Sequence, residues 1–447
     1  MARRLFVSLV ALVLIGAGAW FLDRSKKAEE GKPAKDAPPQ LLKVQDDQVQ
    51  RLEIRKQGAE PVVLESDKGQ KWRITAPQPL PAEQPDVSAY LSTLKGVLWD
   101  RLIEDKATDL GGYGLATPSL EVTVTGTDGK SQKLLLGDVT PTGGAVFAKL
   151  GSDDRVFTLT DSTKTNLDKS ANDLRDKRLL TFDSDKLSKL EVSTATESVE
   201  LAKGAQKDWQ IVKPKPYRAD GFQVEELIGK LKQAKMDLTA SDEDVKKTAD
   251  AFAHTQKAAT VKVTDSTGTQ VLEVHKNPVA KLYYAKSSVV PGIYKIATDA
   301  GEGLEKGLND LRNKKLFEFG FNEPSKVEVN DSGKTYSFAK AGDKWMSNGK
   351  QMDATSFQML VDKLRDLIAI KFVDKPVTTP TIDLTVVSGE GKRTEKVQIG
   401  KVGDSFLAKR EGDANTYELD GKVVDELQKA AGDVKPATAG AGSGAKK

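Results

Sequence analysis

The chain has 447 residues, 38% of them apolar and 30% charged, with 68 basic and 65 acidic side chains and a net charge of +3. This composition excludes a wholly disordered chain, and so even a balance over so long a chain leaves no electrostatic footprint for nucleic acid. The absence of cysteine excludes disulfide staples, zinc–thiolate sites, iron–sulfur clusters and thiol nucleophiles. The only two histidines, His254 and His275, argue against His-rich metal sites and most His-based acid–base catalysis.

The first predicted element is an apolar helix. Leu5 to Leu22 carries no charge, with Arg3 and Arg4 before it and Arg24, Lys26 and Lys27 after it. Two readings compete. Ala17-Gly18-Ala19 fits the small-residue site of a cleaved signal peptide. Trp20-Phe21-Leu22 extends the apolar run beyond that site and fits an uncleaved signal anchor with an interfacial tryptophan, the favoured reading. No later segment is long and apolar enough to span again, so the bulk of the chain is expected to be extracytoplasmic on a single-pass inner-membrane anchor. Residues 25–40, rich in Lys, Ala and Pro, read as a flexible tether, and 432–447 as a disordered tail.

Between them the sequence repeats. Trp72, Trp209 and Trp345 lie 137 and 136 positions apart, each just after a turn-like stretch. A helical face follows each one: Val87, Tyr90, Leu91, Leu94, Val97; Val224, Leu227, Ile228, Leu231, Ala234; Phe357, Leu360, Val361, Leu364, Leu367. All three share one spacing of apolar positions along a helix. Asp220 and Asp353 are expected N-caps, and the first copy has Glu83 and Pro85 there. Two alternating hairpin patterns follow in each copy. A short closing helix then leads into Leu174-Arg175-Asp176-Lys177-Arg178 in copy one and Leu311-Arg312-Asn313-Lys314-Lys315 in copy two. Copy three ends near Ala431 without this basic motif and lacks a counterpart of Thr108 to Pro118.

The expected class is α+β: a transmembrane helix, then three tandem domains at 41–180, 181–316 and 317–431, the last shorter and divergent. Each is expected to pack antiparallel strands with one long and one short helix.

Several features carry competing readings. The tryptophans either stack on a flat ligand or, as favoured, cover the helix as core aromatics. Arg175, Lys177 and Arg178, with Arg312, Lys314 and Lys315, either bind an anion or, as favoured, offset a helix C-terminus. Gly137 to Gly144 lacks the Gly-Lys-Ser/Thr of a phosphate loop and reads as a β-turn connection. Ser241-Asp242-Glu243-Asp244 lacks calcium-loop spacing and reads as an acidic helix start. Neither histidine has a catalytic partner in motif spacing, so no enzymatic activity, cofactor or metal is expected.

The motifs around Trp72-Arg73-Ile74-Thr75-Ala76-Pro77, Tyr113-Gly114-Leu115-Ala116-Thr117-Pro118, Leu136-Gly137-Asp138 and Leu174-Arg175-Asp176-Lys177 resemble the domain-of-unknown-function 4340 family. Copy two matches at Trp209 and Leu311-Arg312, and copy three at Trp345, its helix and its hairpins. The resemblance implies a bacterial protein with one N-terminal membrane segment and a large extracytoplasmic part, beside ABC transporter components of the gliding-motility type. It implies no catalytic residues. The expectation is a non-catalytic accessory or scaffold of an envelope complex, with permease subunits as candidate partners. The alternative is a module that binds an envelope polymer or lipid in grooves between repeats.

Overall fold

The computed structural model describes residues 41–42, 48–67, 71–205, 207–239 and 242–438. The predicted membrane segment Leu5 to Leu22, the tether at 25–40 and the end of the predicted tail lie outside them. Among the described residues no helix is long and apolar enough to cross a membrane.

The chain is mixed α and β, with three antiparallel sheets. The first comprises β1 (Val49–Lys56), β2 (Val62–Ser66), β3 (Trp72–Ala76), β4 (Leu80–Pro81), β5 (Arg101–Glu104), β6 (Leu120–Gly126), β7 (Ser131–Val139), β8 (Ala145–Leu150) and β9 (Val156–Thr160). Their order is β4-β3-β2-β1-β6-β7-β8-β9-β5. The second comprises β10 (Lys189–Ser193), β11 (Ser198–Lys203), β12 (Trp209–Lys213), β13 (Tyr217–Arg218), β14 (Gln256–Asp265), β15 (Gly268–Asn277), β16 (Leu282–Ser287) and β17 (Ile293–Ile296). The third comprises β18 (Lys326–Asp331), β19 (Lys334–Ala341), β20 (Lys344–Ser347), β21 (Lys350–Gln351), β22 (Lys371–Val373), β23 (Ile382–Ser388), β24 (Arg393–Val402), β25 (Ser405–Arg410) and β26 (Thr416–Leu419). Both follow the order of the first, except that among the described residues the second has no strand at the place of β5 and β22. In every sheet the opening strand sits in the middle, because β1, β10 and β18 pair with β6, β14 and β23.

Three long helices supply the matching apolar faces: α1 (Gln84–Lys95), α4 (Gly221–Gln233) and α8 (Ala354–Arg365). Between α1 and α4 lie α2 (Asp161–Leu167) and α3 (Ala171–Leu174). Val87, Tyr90, Leu91 and Leu94 of α1 are buried with Leu52, Leu64, Trp72 and Val122 of the sheet. Fully burying one such side chain is worth about 1.5–3 kcal/mol, so each face outweighs the weak intrinsic stability of a helix this short. The caps follow the chemistry of the residues. Asp220 accepts from the Phe222 and Gln223 N–H groups and Asp353 from that of Ser356, while Glu83 makes no side-chain cap and Pro85 stands in the first turn of α1 instead.

The helix complement departs from one long and one short helix per sheet. The second sheet carries α5 (Asp242–His254), α6 (Thr298–Gly303) and α7 (Leu308–Leu311) besides α4, and the third carries α9 (Gly421–Asp433) as a second long helix. The reason is local. Val424, Leu427 and Ala431 give α9 an apolar face that α2 and α6 are too short to offer. Beyond α9, residues placed in the tail by their composition pair back onto the fold: Met352 bridges Pro436, and the Ala437 N–H reaches the Gln351 carbonyl at 2.9 Å.

The chain divides into two compact units, one ending at Lys177 and one starting at Arg178. The first holds one sheet and one core; the second holds two sheets and two cores. Leu179 and Leu180 belong to the core of the second sheet, as Leu316 and Phe317 belong to that of the third.

One position shows how the face away from each core is treated. Leu136, Val274 and Ile399 pair with Ala148, Ala285 and Ala408, so the next residues, Gly137, His275 and Gly400, are equivalent and point outward. A Cβ on Gly137 would lie 2.1 Å from the Tyr113 carbonyl oxygen, and one on Gly400 2.6 Å from that of Thr379. Backbone therefore crosses both glycines. The third copy thus keeps, as Val377-Thr378-Thr379-Pro380, a shortened form of the connection that the first writes Leu115-Ala116-Thr117-Pro118. Sequence reading assigned it none, because the tyrosine and glycines that mark the first connection are absent.

Candidate functional site

A group of paired charges in the second unit lies where its two sheets meet. Tyr217 and Arg218 form the short β13, and Arg312 follows α7 with an extended backbone that bridges Ala219. The Arg312 guanidinium carbon sits 4.2 Å from the centre of the Tyr217 ring and 4.6 Å from that of Phe372 on β22. The cation is thus held between an aromatic ring of each sheet.

Arg218 directs four hydrogen bonds to the third sheet and the segment leading to it. Its Nε lies 2.8 Å from Asp413 Oδ2, Nη1 2.7 Å from Glu318 Oε1, and Nη2 2.5 Å from the Lys315 carbonyl and 2.8 Å from Tyr417 Oη. Tyr417 in turn donates to Asp413 at 2.5 Å. Glu318 also accepts from Arg393 at 2.9 Å, and the buried Glu395 accepts from Arg410 at 2.7 Å. Three guanidinium groups thus face three carboxylates.

The electrostatics fix these charges. Burial opposes ionisation of Asp413, but bonds from Tyr417, the Asn415 N–H and Arg218 outweigh it and hold its carboxyl below the usual range. Burial pushes the Tyr417 hydroxyl up to about 12, against the pull of Arg218. Burial likewise opposes the charge on Arg218, yet the Tyr417 oxygen that accepts from it and the Glu318 and Asp413 carboxylates keep it a firmer cation than usual. Such a cluster ties the second sheet to the third. Among the described residues no group of three metal-ligating side chains converges.

The three tryptophans are core residues, exposed by only 5%, 6% and 6%. Gln84 clamps the backbone of Trp72 on both sides; the Trp209 Nε1 donates to Glu225 at 3.3 Å; Trp345 stacks on Phe357 with centroids 4.0 Å apart. Arg175 and Arg312 do not end a long helix. Each follows a four-residue helix in extended conformation and bridges a strand end, at Ala82 and Ala219. Gly143 and Gly144, with φ of 72° and 75°, turn the chain between β7 and β8. Of the acidic run, Ser241 and the side chains of Asp242 and Glu243 lie outside the described residues; Asp244 lies on α5. His254 ends α5, exposed, and His275 lies on β15.

Sequence reading brought Arg312 forward but missed Arg218, Glu318 and Asp413. Arg218 takes the place held by Pro81 in the first sheet and Gln351 in the third. That break in the repeat was the only available signal, and it names no partner.

A family model described as a domain of unknown function, DUF4340, matches residues 72–208 and 209–384. The chain belongs to the DUF4340 family. Each match of this DUF4340 chain begins on a tryptophan, at β3 and β12, and runs into the following sheet. The family frame is therefore offset from the sheets: each match starts between the second and third strands of the first or second sheet, and the second match ends inside β23 of the third. No curated protein and no solved structure matches this DUF4340 chain.

Proposed function

We propose that the chain is a non-catalytic accessory or scaffold protein of a bacterial envelope complex, with three tandem repeated domains outside the cytoplasm. In this reading Leu5 to Leu22 anchors it in the inner membrane, and permease subunits of an ABC transporter are its partners. The observation that supports it is the neutralised junction of the second and third sheets. Arg218, Arg393 and Arg410 compensate Glu318, Glu395 and Asp413, which suits a stiff spacer better than a reaction centre. The polymer- or lipid-binding alternative draws no support from that junction, because Arg312, Tyr217 and Phe372 fill it.

The test is affinity purification of the full chain from cross-linked membranes, beside a chain lacking residues 1–24 that is exported by a cleavable signal. Permease subunits recovered with the first and lost with the second are the expected result. A lone monomer, under conditions that keep known membrane complexes together, overturns the proposal.

A further inference from the structure

His275 differs from its two counterparts in kind. Where Gly137 and Gly400 are crossed by backbone, the second sheet carries an imidazole, and the element that crosses it is α5. Phe252 of α5 stacks on the His275 ring at 3.9 Å with 21° between the planes. Both ring nitrogens face acceptors. Nδ1 lies 3.2 Å from the Thr255 carbonyl oxygen just after α5, and Nε2 3.3 Å from Glu273 Oε1. A neutral imidazole has one donor and one acceptor nitrogen, so it satisfies only one of these contacts; the imidazolium donates to both. Its charge also improves the stacking on Phe252.

Among the described side chains of α5, Phe252 is the one in the core, at 9% exposure. A groove of about 440 Å³ runs beside α5, lined by Thr248 and Ala251 of the helix and by Leu282, Tyr284 and Ile293 of the sheet. A helix with so few buried contacts opens at low free-energy cost.

We propose that His275 is a protonation-dependent latch: the imidazolium holds α5 across the outward face of the second sheet, and its deprotonation releases the helix and uncovers Leu282, Tyr284 and Ile293. The charged groups around the ring favour this sign. Glu273 lies on its own strand, and Lys257 on the neighbouring strand pairs with Glu273 at 3.4 Å. Tyr284 lies opposite on β16. Asp250 and His254 come from α5, where they pair with each other at 3.4 Å. Burial opposes ionisation of Glu273, but its bonds to His275 and Lys257 prevail and keep it an anion. His254 ends α5, where a cation also stabilises a helix, so the two histidines must be separated.

Hydrogen exchange of the full chain, read by mass spectrometry at pH 6 and pH 8 and corrected for intrinsic rates, tests the latch. Protection of 245–254 is expected to fall about tenfold at pH 8. In His275→Gly, which adopts the residue of the other two sheets, protection is expected to be low at both pH values. His254→Gln is expected to keep the difference, and Glu273→Gln to shrink it. Equal protection of the unaltered chain at both pH values overturns the proposal. So does a difference that survives in His275→Gly or disappears in His254→Gln. An unchanged unfolding temperature of the third sheet's core in the His275→Gly chain separates release of α5 from general misfolding.

Discussion

Arg218 Nε and Asp413 Oδ2 lie 2.8 Å apart although 195 positions separate the two residues in the chain. The pair joins the short strand closing one edge of the second sheet to the turn between β25 and β26 of the third. Removing one partner leaves the other as an uncompensated buried charge, which costs more than the pair itself contributes. Arg218→Ala is therefore expected to destabilise the second unit by about 3 kcal/mol. Urea unfolding followed by fluorescence checks it in chains that keep only Trp209 or only Trp345, each of which then reports one core. A loss near zero would mean that the Arg312 sandwich alone holds the junction.

Acid stability offers a second check. The Thr267 hydroxyl, the Asp183 N–H and the Thr267 N–H hold the Asp265 carboxyl down to about 2. Its ordinary value is about 3.9, so between these limits the unfolded chain binds the extra proton. The contribution of Asp265 is thus fully present above pH 4 and is lost as pH falls toward 2. Asp265→Asn is expected to flatten that limb of a stability-against-pH curve measured by urea unfolding. An unaltered slope would show that these bonds do not persist in solution.

Two glycines should respond in opposite directions. At Gly137 a new Cβ meets the Tyr113 carbonyl oxygen at 2.1 Å, and backbone there has no room to yield. Gly137→Ala is expected to cost about 1–3 kcal/mol. Gly229 lies inside α4 with nothing within 4 Å of the added Cβ. Gly229→Ala is expected to stabilise by about 0.5–1 kcal/mol, because alanine loses less backbone freedom in a helix. Thermal unfolding of both variants reads the contrast, and two changes of the same sign would contradict it.

Capping provides the smallest effect. The Asp353 carboxylate accepts from the Ser356 N–H at 2.8 Å, whereas Glu83 makes no side-chain bond at the equivalent place. Asp353→Ala is expected to cost about 1 kcal/mol and Glu83→Ala to be close to neutral. Denaturant midpoints of the two variants decide it; an equal loss in both would place the cap of α8 elsewhere.

Local chemistry accounts for where sequence and structure agree. The first four apolar positions of each set lie on α1, α4 and α8 at helical spacing, which requires each face to lie against an apolar sheet; the fifth, Val97, Ala234 or Leu367, falls just past the helix end and is buried all the same. Trp72, Trp209 and Trp345 enter the cores beside them for the same reason. The divergence of the third copy after Trp345 is also local. Asn348 and Gly349, with φ of 49° and 75°, form a tight hairpin turn where the first two copies bend through cis peptide bonds at Pro77 and Pro214.

What the sequence by itself determined is thus the repeat, the helix faces, the hairpins and the caps, all governed by contacts within a few tens of residues. The tertiary structure alone decided three matters. It placed each opening strand at the centre of its sheet, through pairs such as β1 with β6 that no turn chemistry dictates. It brought Arg218 to Asp413 and Arg312 to Phe372, since a charged side chain carries no record of a partner two hundred residues away. It laid α5 over His275, because the apolar content of that helix is too low to announce which surface it covers. Hydrophobic periodicity is written along the chain; the pairing of strands and charges across it is settled only when the cores close.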